Sequence, residues 1–120
     1  MSISKILIGL AAALQFYFMI LEMFFWTKPL GLKAFNLTKD FAEQSKTLAM
    51  NQGLYNGFIA AGFVWALLHE DPKAYFQISL FFCACMFIAG VFGGATASWK
   101  IIPVQALPAA AAALAVYFYW

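Results

Sequence analysis

Four long apolar stretches alternate with short polar connections along the chain. They cover about 6–26, 48–68, 74–98 and 101–120. Each stretch is close to the roughly 20 residues that an α-helix needs to cross the hydrocarbon core of a bilayer. Because the connections are short, consecutive helices are expected to be antiparallel neighbours. The pattern predicts an all-α fold: a single transmembrane domain over 1–120, built as an integral membrane four-helix bundle with up-down-up-down topology.

The longest polar segment covers 28–47, between the first and second apolar stretches. Pro29 and Gly31 at its start disfavour continuation of the first helix. Within it, Thr38 or Asp40 can cap a new helix. We expect a polar loop or a short helix here, which leads into the second span and can join it without a break.

Small residues inside the apolar stretches predict close helix packing. Gly53 and Gly57 are four residues apart in the second stretch, and Gly90, Gly93 and Gly94 lie near the end of the third. Small residues at such spacing let neighbouring helices approach closely in a membrane. The alternative is that the glycines leave room for a ligand.

The composition indicates which solvent surrounds the chain. Of the 120 residues, 65% are apolar and only 10% are charged, whereas a soluble domain has about 25% charged residues. So few charges cannot cover a water-facing surface, and lipid is therefore the predicted surroundings. The net charge is +2 and there is no arginine, so the bidentate phosphate contacts typical of nucleic-acid recognition are missing. No nucleic-acid partner is expected.

Lysine placement predicts the orientation. All seven basic residues are lysines, and five of them lie in the 28–47 segment and the 99–100 turn, whereas Lys5 and Lys73 lie on the other side. Positively charged loops stay preferentially in the cytoplasm. We therefore expect a multi-pass protein with a cytoplasmic 28–47 segment and both termini outside.

Lipid cannot satisfy the hydrogen bonds of polar side chains inside the predicted spans, and eight of these side chains form the candidate site. They are Gln15 and Glu22 of the first span, Asn51, Gln52, Tyr55 and Asn56 of the second, Thr96 of the third and Gln105 of the fourth. Antiparallel helices would bring all of these except the deeper Gln15 into one half of the bilayer, and Gln15 shares a face with Glu22. The four residues of the second span are expected to form one broad polar face that turns towards protein or a cavity. These eight residues are the predicted ligand-binding site.

Several functions fit such a cluster. It can be a hydrogen-bonded network that merely holds the helices together, as in a structural membrane subunit. It can bind or transport a small lipophilic or amphipathic molecule, a lipid included, because acids inside a membrane are commonly functional. It can belong to an enzyme in which Glu22 is the general acid or base towards a lipophilic substrate, or to a small proton-coupled exporter. The sequence leaves these alternatives and the oligomeric state, a homo-oligomer included, open.

No pattern for a metal or cofactor site is present in the sequence. His69 is the only histidine, and Cys83 and Cys85 are two apart, so on a helix their side chains point in different directions. No phosphate-binding loop and no Ser-His-Asp set occurs. We predict neither a metal nor a cofactor, and no catalytic residue is assigned.

Several short strings nevertheless resemble a known family. LEMFFW at 21–26, NQGLYNG at 51–57 and VQALP at 104–108, together with FAEQ at 41–44, are similar to the small bacterial membrane proteins of domain-of-unknown-function family 1304. The resemblance covers nearly the whole chain. It implies four spans and a location in the bacterial inner membrane, and it implies no known reaction.

The predicted orientation can be measured by cysteine labelling. In a Cys83→Ala, Cys85→Ala background, Ser2→Cys is expected to react with a membrane-impermeant maleimide from outside intact cells. Thr38→Cys is expected to react only once the cytoplasmic face is opened, because the lysine-rich segment stays inside. Labelling of Thr38→Cys in intact cells would contradict the prediction.

Overall fold

The regular structure in the described part of the chain, residues 2–96 and 100–119 of a computed structural model, is entirely helical. This confirms the all-α prediction. The helices are α1 (Ile3–Phe24), α2 (Pro29–Phe35), α3 (Lys39–Leu68), α4 (Pro72–Thr96) and α5 (Leu107–Tyr119), with a π-helical turn at Ile102–Ala106 leading into α5.

The polar segment after α1 forms a short helix and the beginning of a long one. Helix α2 starts at Pro29, whose fixed φ suits a first helical turn. It ends at Asn36, which adopts the left-handed conformation with φ of 54°, as asparagine does at helix C-termini. The Thr38 hydroxyl then accepts a hydrogen bond from the Phe41 N–H at 3.2 Å and caps α3. From Lys39, α3 continues for 30 residues, so the polar segment joins the second apolar stretch without a break.

The chain divides into two compact units. One contains Met1–Ala12 and Ala61–Trp120, and the other contains Ala13–Ala60. The first has a core of fully buried apolar side chains, among them Ile8, Phe63 and Met86. The second is built from the C-terminal part of α1, from α2 and from the N-terminal part of α3, and it holds Glu22.

In the first unit, α4 and the π-helical turn approach closely at Gly90. A Cβ atom at Gly90 would lie 2.7 Å from the backbone nitrogen of Ala106, so no larger residue fits without movement. The π-helical turn is completed by the hydrogen bond from the Leu107 N–H to the Ile102 carbonyl. It ends two residues before Pro108, and local widening of this kind accommodates proline in a helix. The predicted close packing at this glycine is confirmed.

Among the residues that the structure describes, two helical segments are long and apolar enough to cross a membrane by length and composition, Ile3–Phe24 and Pro72–Ala95. The apolar helix at Ile102–Phe118 is shorter. The second predicted span lies within α3, which combines apolar residues with several amide side chains. Two of the four predicted spans, the first and the third, are therefore long and apolar enough to cross a membrane.

The close approach at Gly90 can be tested against a glycine that has space around it. Gly90→Ala is expected to lower the free energy of unfolding by about 1–3 kcal/mol, because the added methyl group overpacks the helix contact. Gly9→Ala, with nothing within 4 Å of its added Cβ, is expected to stabilise α1 by about 0.5–1 kcal/mol. Thermal unfolding in detergent measures both, and equal shifts would contradict the close packing.

Candidate functional site

A carboxyl group and two amides form a buried hydrogen-bonded cluster in the second unit. Gln15 and Glu22 lie two turns apart on one face of α1, and Asn56 of α3 lies opposite the space between them. The Asn56 Nδ2 donates to Glu22 Oε1, and the Gln15 Nε2 donates to Asn56 Oδ1 at 3.3 Å. All three side chains are buried, with Glu22 8% exposed. Asn56 thus connects the two polar residues of α1.

Glycines on either side of Asn56 let the two helices come this close. A Cβ at Gly53 would lie 2.7 Å from Met23 Cγ and 3.0 Å from Glu22 Cβ, and a Cβ at Gly57 would lie 2.6 Å from Met19 Sδ. The predicted small-residue packing of α3 is therefore confirmed. It brings the Asn56 side chain within hydrogen-bonding distance of both α1 residues.

The contacts also fix the register of α1 against α3. Met19 is opposite Gly57, Glu22 is opposite Gly53, and the Trp26 indole N–H donates to the Ser45 hydroxyl at 3.0 Å. As the residue number increases from Met19 to Trp26, the number of its partner on α3 decreases from Gly57 to Ser45. Within this unit the two helices are consequently antiparallel, as the sequence predicts.

An open cleft of about 280 Å³ borders the cluster at the end of α1. Glu22 lies on its wall, as do two exposed lysines, Lys28 and Lys46. The Trp26 ring is held in place by its bond to Ser45 and by packing on Phe35, with ring centroids 5.0 Å apart. The rest of the lining consists of Met23, Phe24, Thr27 and Met50.

The broad polar face predicted for the second span is divided in the structure. Asn56 alone of its four members is buried, whereas Asn51, Gln52 and Tyr55 are exposed. The helical period explains the division, because the face packed on α1 runs through Gly53 and Asn56. Asn51 and Tyr55 lie on the opposite side of α3, and Gln52, four residues before Asn56, lies at the edge of the packed face. The expectation that all four turn inwards together is wrong for these three.

The two remaining predicted site residues, Thr96 and Gln105, belong to the first unit. Gln105 is buried in the π-helical turn. The side chain of Thr96 lies outside the described part of the chain. Within the second unit, the structure brings together Gln15, Glu22 and Asn56.

Sequence reasoning missed the two lysines of the cleft as site residues. Lys28 and Lys46 were predicted only to mark the cytoplasmic side. Their shared position follows from the antiparallel register, since Lys28 comes shortly after the end of α1 and Lys46 comes early in α3. The chemistry available in the cleft is thus one carboxyl group, a hydroxyl and two ammonium groups beside an apolar wall. A carboxylate accepts hydrogen bonds through two oxygens, and Asn56 uses one of them.

Comparison with known proteins gives two matches. Residues 9–117 match a family model described as "Protein of unknown function (DUF1304)". The chain is also similar to the uncharacterized protein YpaA of Lactococcus lactis subsp. lactis (strain IL1403), with 32% identity over 121 residues, which cover 98% of this chain and 100% of the relative. No solved structure matches significantly. The family match includes the buried cluster and both lysines of the cleft.

The hydrogen bonds of Asn56 can be compared with those of a second asparagine on the same helix. Asn56→Leu is expected to lower the free energy of unfolding by about 1–3 kcal/mol, because Gln15 and Glu22 would each lose a buried partner. Asn51→Leu is the matched control: Asn51 is exposed, and its replacement is expected to change stability by less than about 0.5 kcal/mol. Chemical or thermal unfolding in detergent measures the difference. Similar losses in both variants would show that the cluster does not stabilise the helix pair.

Proposed function

Since the chain belongs to the DUF1304 family of proteins of unknown function, we propose a function from its own geometry: it is an integral membrane protein that binds a small amphipathic molecule in the cleft beside Glu22. The polar head of the molecule lies against Glu22, and its apolar part extends into the bilayer. Binding of this kind is also the first step of transport.

Exposed apolar side chains support a membrane location. In the most apolar part of Ile3–Phe24 only 33% of the residues are buried, and in that of Pro72–Ala95 only 22% are. The core helix of a soluble protein would bury most of its apolar residues. Here Leu68, Phe81 and Phe92 are 76%, 63% and 68% exposed, which suits side chains that face lipid tails.

The same reasoning extends to four spans. Helix α3 has 30 residues and is about 45 Å long, which exceeds the roughly 30 Å of the hydrocarbon core. The amides of its N-terminal half can be accommodated where they face protein or the interface. The proposed topology is up-down-up-down in the bacterial inner membrane. The lysine-rich 28–47 segment is cytoplasmic and both termini are outside, because positive charges favour the cytoplasmic side.

One observation carries the binding function: a buried carboxyl group, held by amides, borders an open cleft. A network that only joins helices does not require a carboxyl group, since amides alone could connect the two helices, and an acid within a membrane span is costly. Such a network would also be sealed by packing. At Glu22 the cluster instead borders a cleft of about 280 Å³.

The size and lining of the cleft indicate what it can hold. Small-molecule pockets have volumes of about 300–1,000 Å³, so a cleft of about 280 Å³ suits a polar head group and not a whole lipid. Phe24 and Met50 are exposed apolar residues on its lining. They offer the apolar part of the ligand an apolar surface beside its head group.

The binding function can be tested by neutralising one carboxyl group at a time. Glu22→Gln keeps the shape of the side chain and removes its charge, and we expect it to weaken retention of bound phospholipid about tenfold, because bonds to charged groups are the stronger ones. Glu43→Gln is the matched control, since Glu43 is exposed on α3 outside the cleft. Native mass spectrometry of protein purified in mild detergent counts the bound molecules.

Two outcomes would contradict the proposal. One is an unchanged set of bound molecules in Glu22→Gln relative to the wild type. The other is equal loss in Glu22→Gln and Glu43→Gln, which would indicate a general effect of surface charge and no role of the cleft.

A further inference from the structure

We infer that the cleft at Glu22 recognises a zwitterionic head group that combines a primary amine with a phosphate, as in an aminophospholipid. The amine lies at Glu22, and the phosphate lies between Lys28 and Lys46. This inference rests on the proposed binding function and names the chemical class of the ligand.

The charges on the cleft wall favour a ligand that carries both signs. Glu22 contributes one negative charge when ionised, and Lys28 and Lys46 contribute two positive charges. A simple cation would be attracted by the carboxylate and repelled by both lysines. A simple anion would be attracted by the lysines and repelled by the carboxylate. A zwitterion with separated charges can satisfy both groups at once.

Burial determines which end of the ligand lies deeper. Glu22 is 8% exposed, whereas both lysines are exposed at the rim. The amine must therefore enter first and the phosphate must remain at the rim. Lysine side chains are flexible and present three donors each, so they can follow a phosphate whose position depends on the depth of the amine.

Trp26 and Thr27 complete this assignment. Trp26 belongs to the lining of the cleft, and aromatic rings attract ammonium groups. The Thr27 hydroxyl adds a group that can donate to a phosphate oxygen. A tryptophan is also typical of the depth at which lipid head groups lie.

The buried carboxylate further selects a primary amine over a quaternary one. With Asn56 on one oxygen, the other oxygen can accept a charge-assisted hydrogen bond from an N–H group. A trimethylated amine has the charge but no N–H. Phosphatidylethanolamine should therefore bind better than phosphatidylcholine. The two lipids carry the same phosphate and differ only in the amine.

The test titrates the full-length protein in detergent with phosphatidylethanolamine, phosphatidylcholine and phosphatidylglycerol of identical acyl chains, with native mass spectrometry as the readout. For the wild type we expect phosphatidylethanolamine to bind about tenfold more tightly than the other two. Glu22→Gln should abolish this preference. The double variant Lys28→Gln, Lys46→Gln should weaken all three lipids together. The control pair Lys33→Gln, Lys39→Gln removes the same charge from the same segment outside the cleft and should leave the preference unchanged.

Soluble phosphoethanolamine distinguishes the two sources of this head group. Displacement of bound phosphatidylethanolamine by millimolar phosphoethanolamine would show that the head group alone is sufficient. A preference for phosphatidylethanolamine without such displacement would show that the acyl chains are required and that the ligand is the lipid.

The failures of the two proposals can be told apart. Equal binding of the three lipids to the wild type, or stronger binding of phosphatidylglycerol, would overturn the assigned head group and leave the binding function standing. Absence of binding by every lipid tested would overturn both. The wild-type comparison needs no variant, so it decides the matter even where a substitution prevents folding.

Discussion

The second unit depends on the hydrogen bond from Asn56 to Glu22. A carboxyl group between two packed helices needs a partner, because a buried polar group without one is costly. Asn56 provides that partner and receives the Gln15 amide on its own carbonyl oxygen. A rotation of α3 by one residue would move Asn56 away from α1 and would break both of its hydrogen bonds to that helix. This interaction therefore specifies which face of α3 packs on α1.

The register fixed by this bond also creates the cleft. With Glu22 opposite Gly53, the antiparallel helices bring the end of α1 beside the first turns of α3. The Trp26–Ser45 hydrogen bond holds the tryptophan there, and Lys46 follows Ser45 directly. The antiparallel packing of α1 and α3 places Lys28 and Lys46 on the cleft. The same packing forms the polar cluster.

The cluster itself was predictable in part. The spacing of Gln15 and Glu22 places them on one face of a helix, and the amide-rich start of the second span supplies partners. Which asparagine would pair with Glu22 could not be deduced from that spacing, since Asn51 and Asn56 carry the same amide group. The glycines at 53 and 57 contained the missing signal, because small residues mark the closely packed face and Asn56 lies on it. The π-helical turn at Gln105 was not predicted, although Pro108 near its end is a residue that such local widening accommodates.

For the proposed function, Glu22 must be shielded from water and must still be accessible to a ligand. A carboxyl group that was fully sealed could stabilise helices but could not recognise a ligand, whereas one in open water would be screened and would discriminate poorly. Glu22 is 8% exposed and lies on the wall of a cleft whose lysines are exposed. In the proposed complex, a charge of the ligand at the rim would be surrounded by water and flexible lysines, whereas a charge at Glu22 would be shielded from water, where hydrogen bonds are stronger. Selectivity should therefore arise at the buried end of the ligand, and the lysines should contribute affinity for any phosphate.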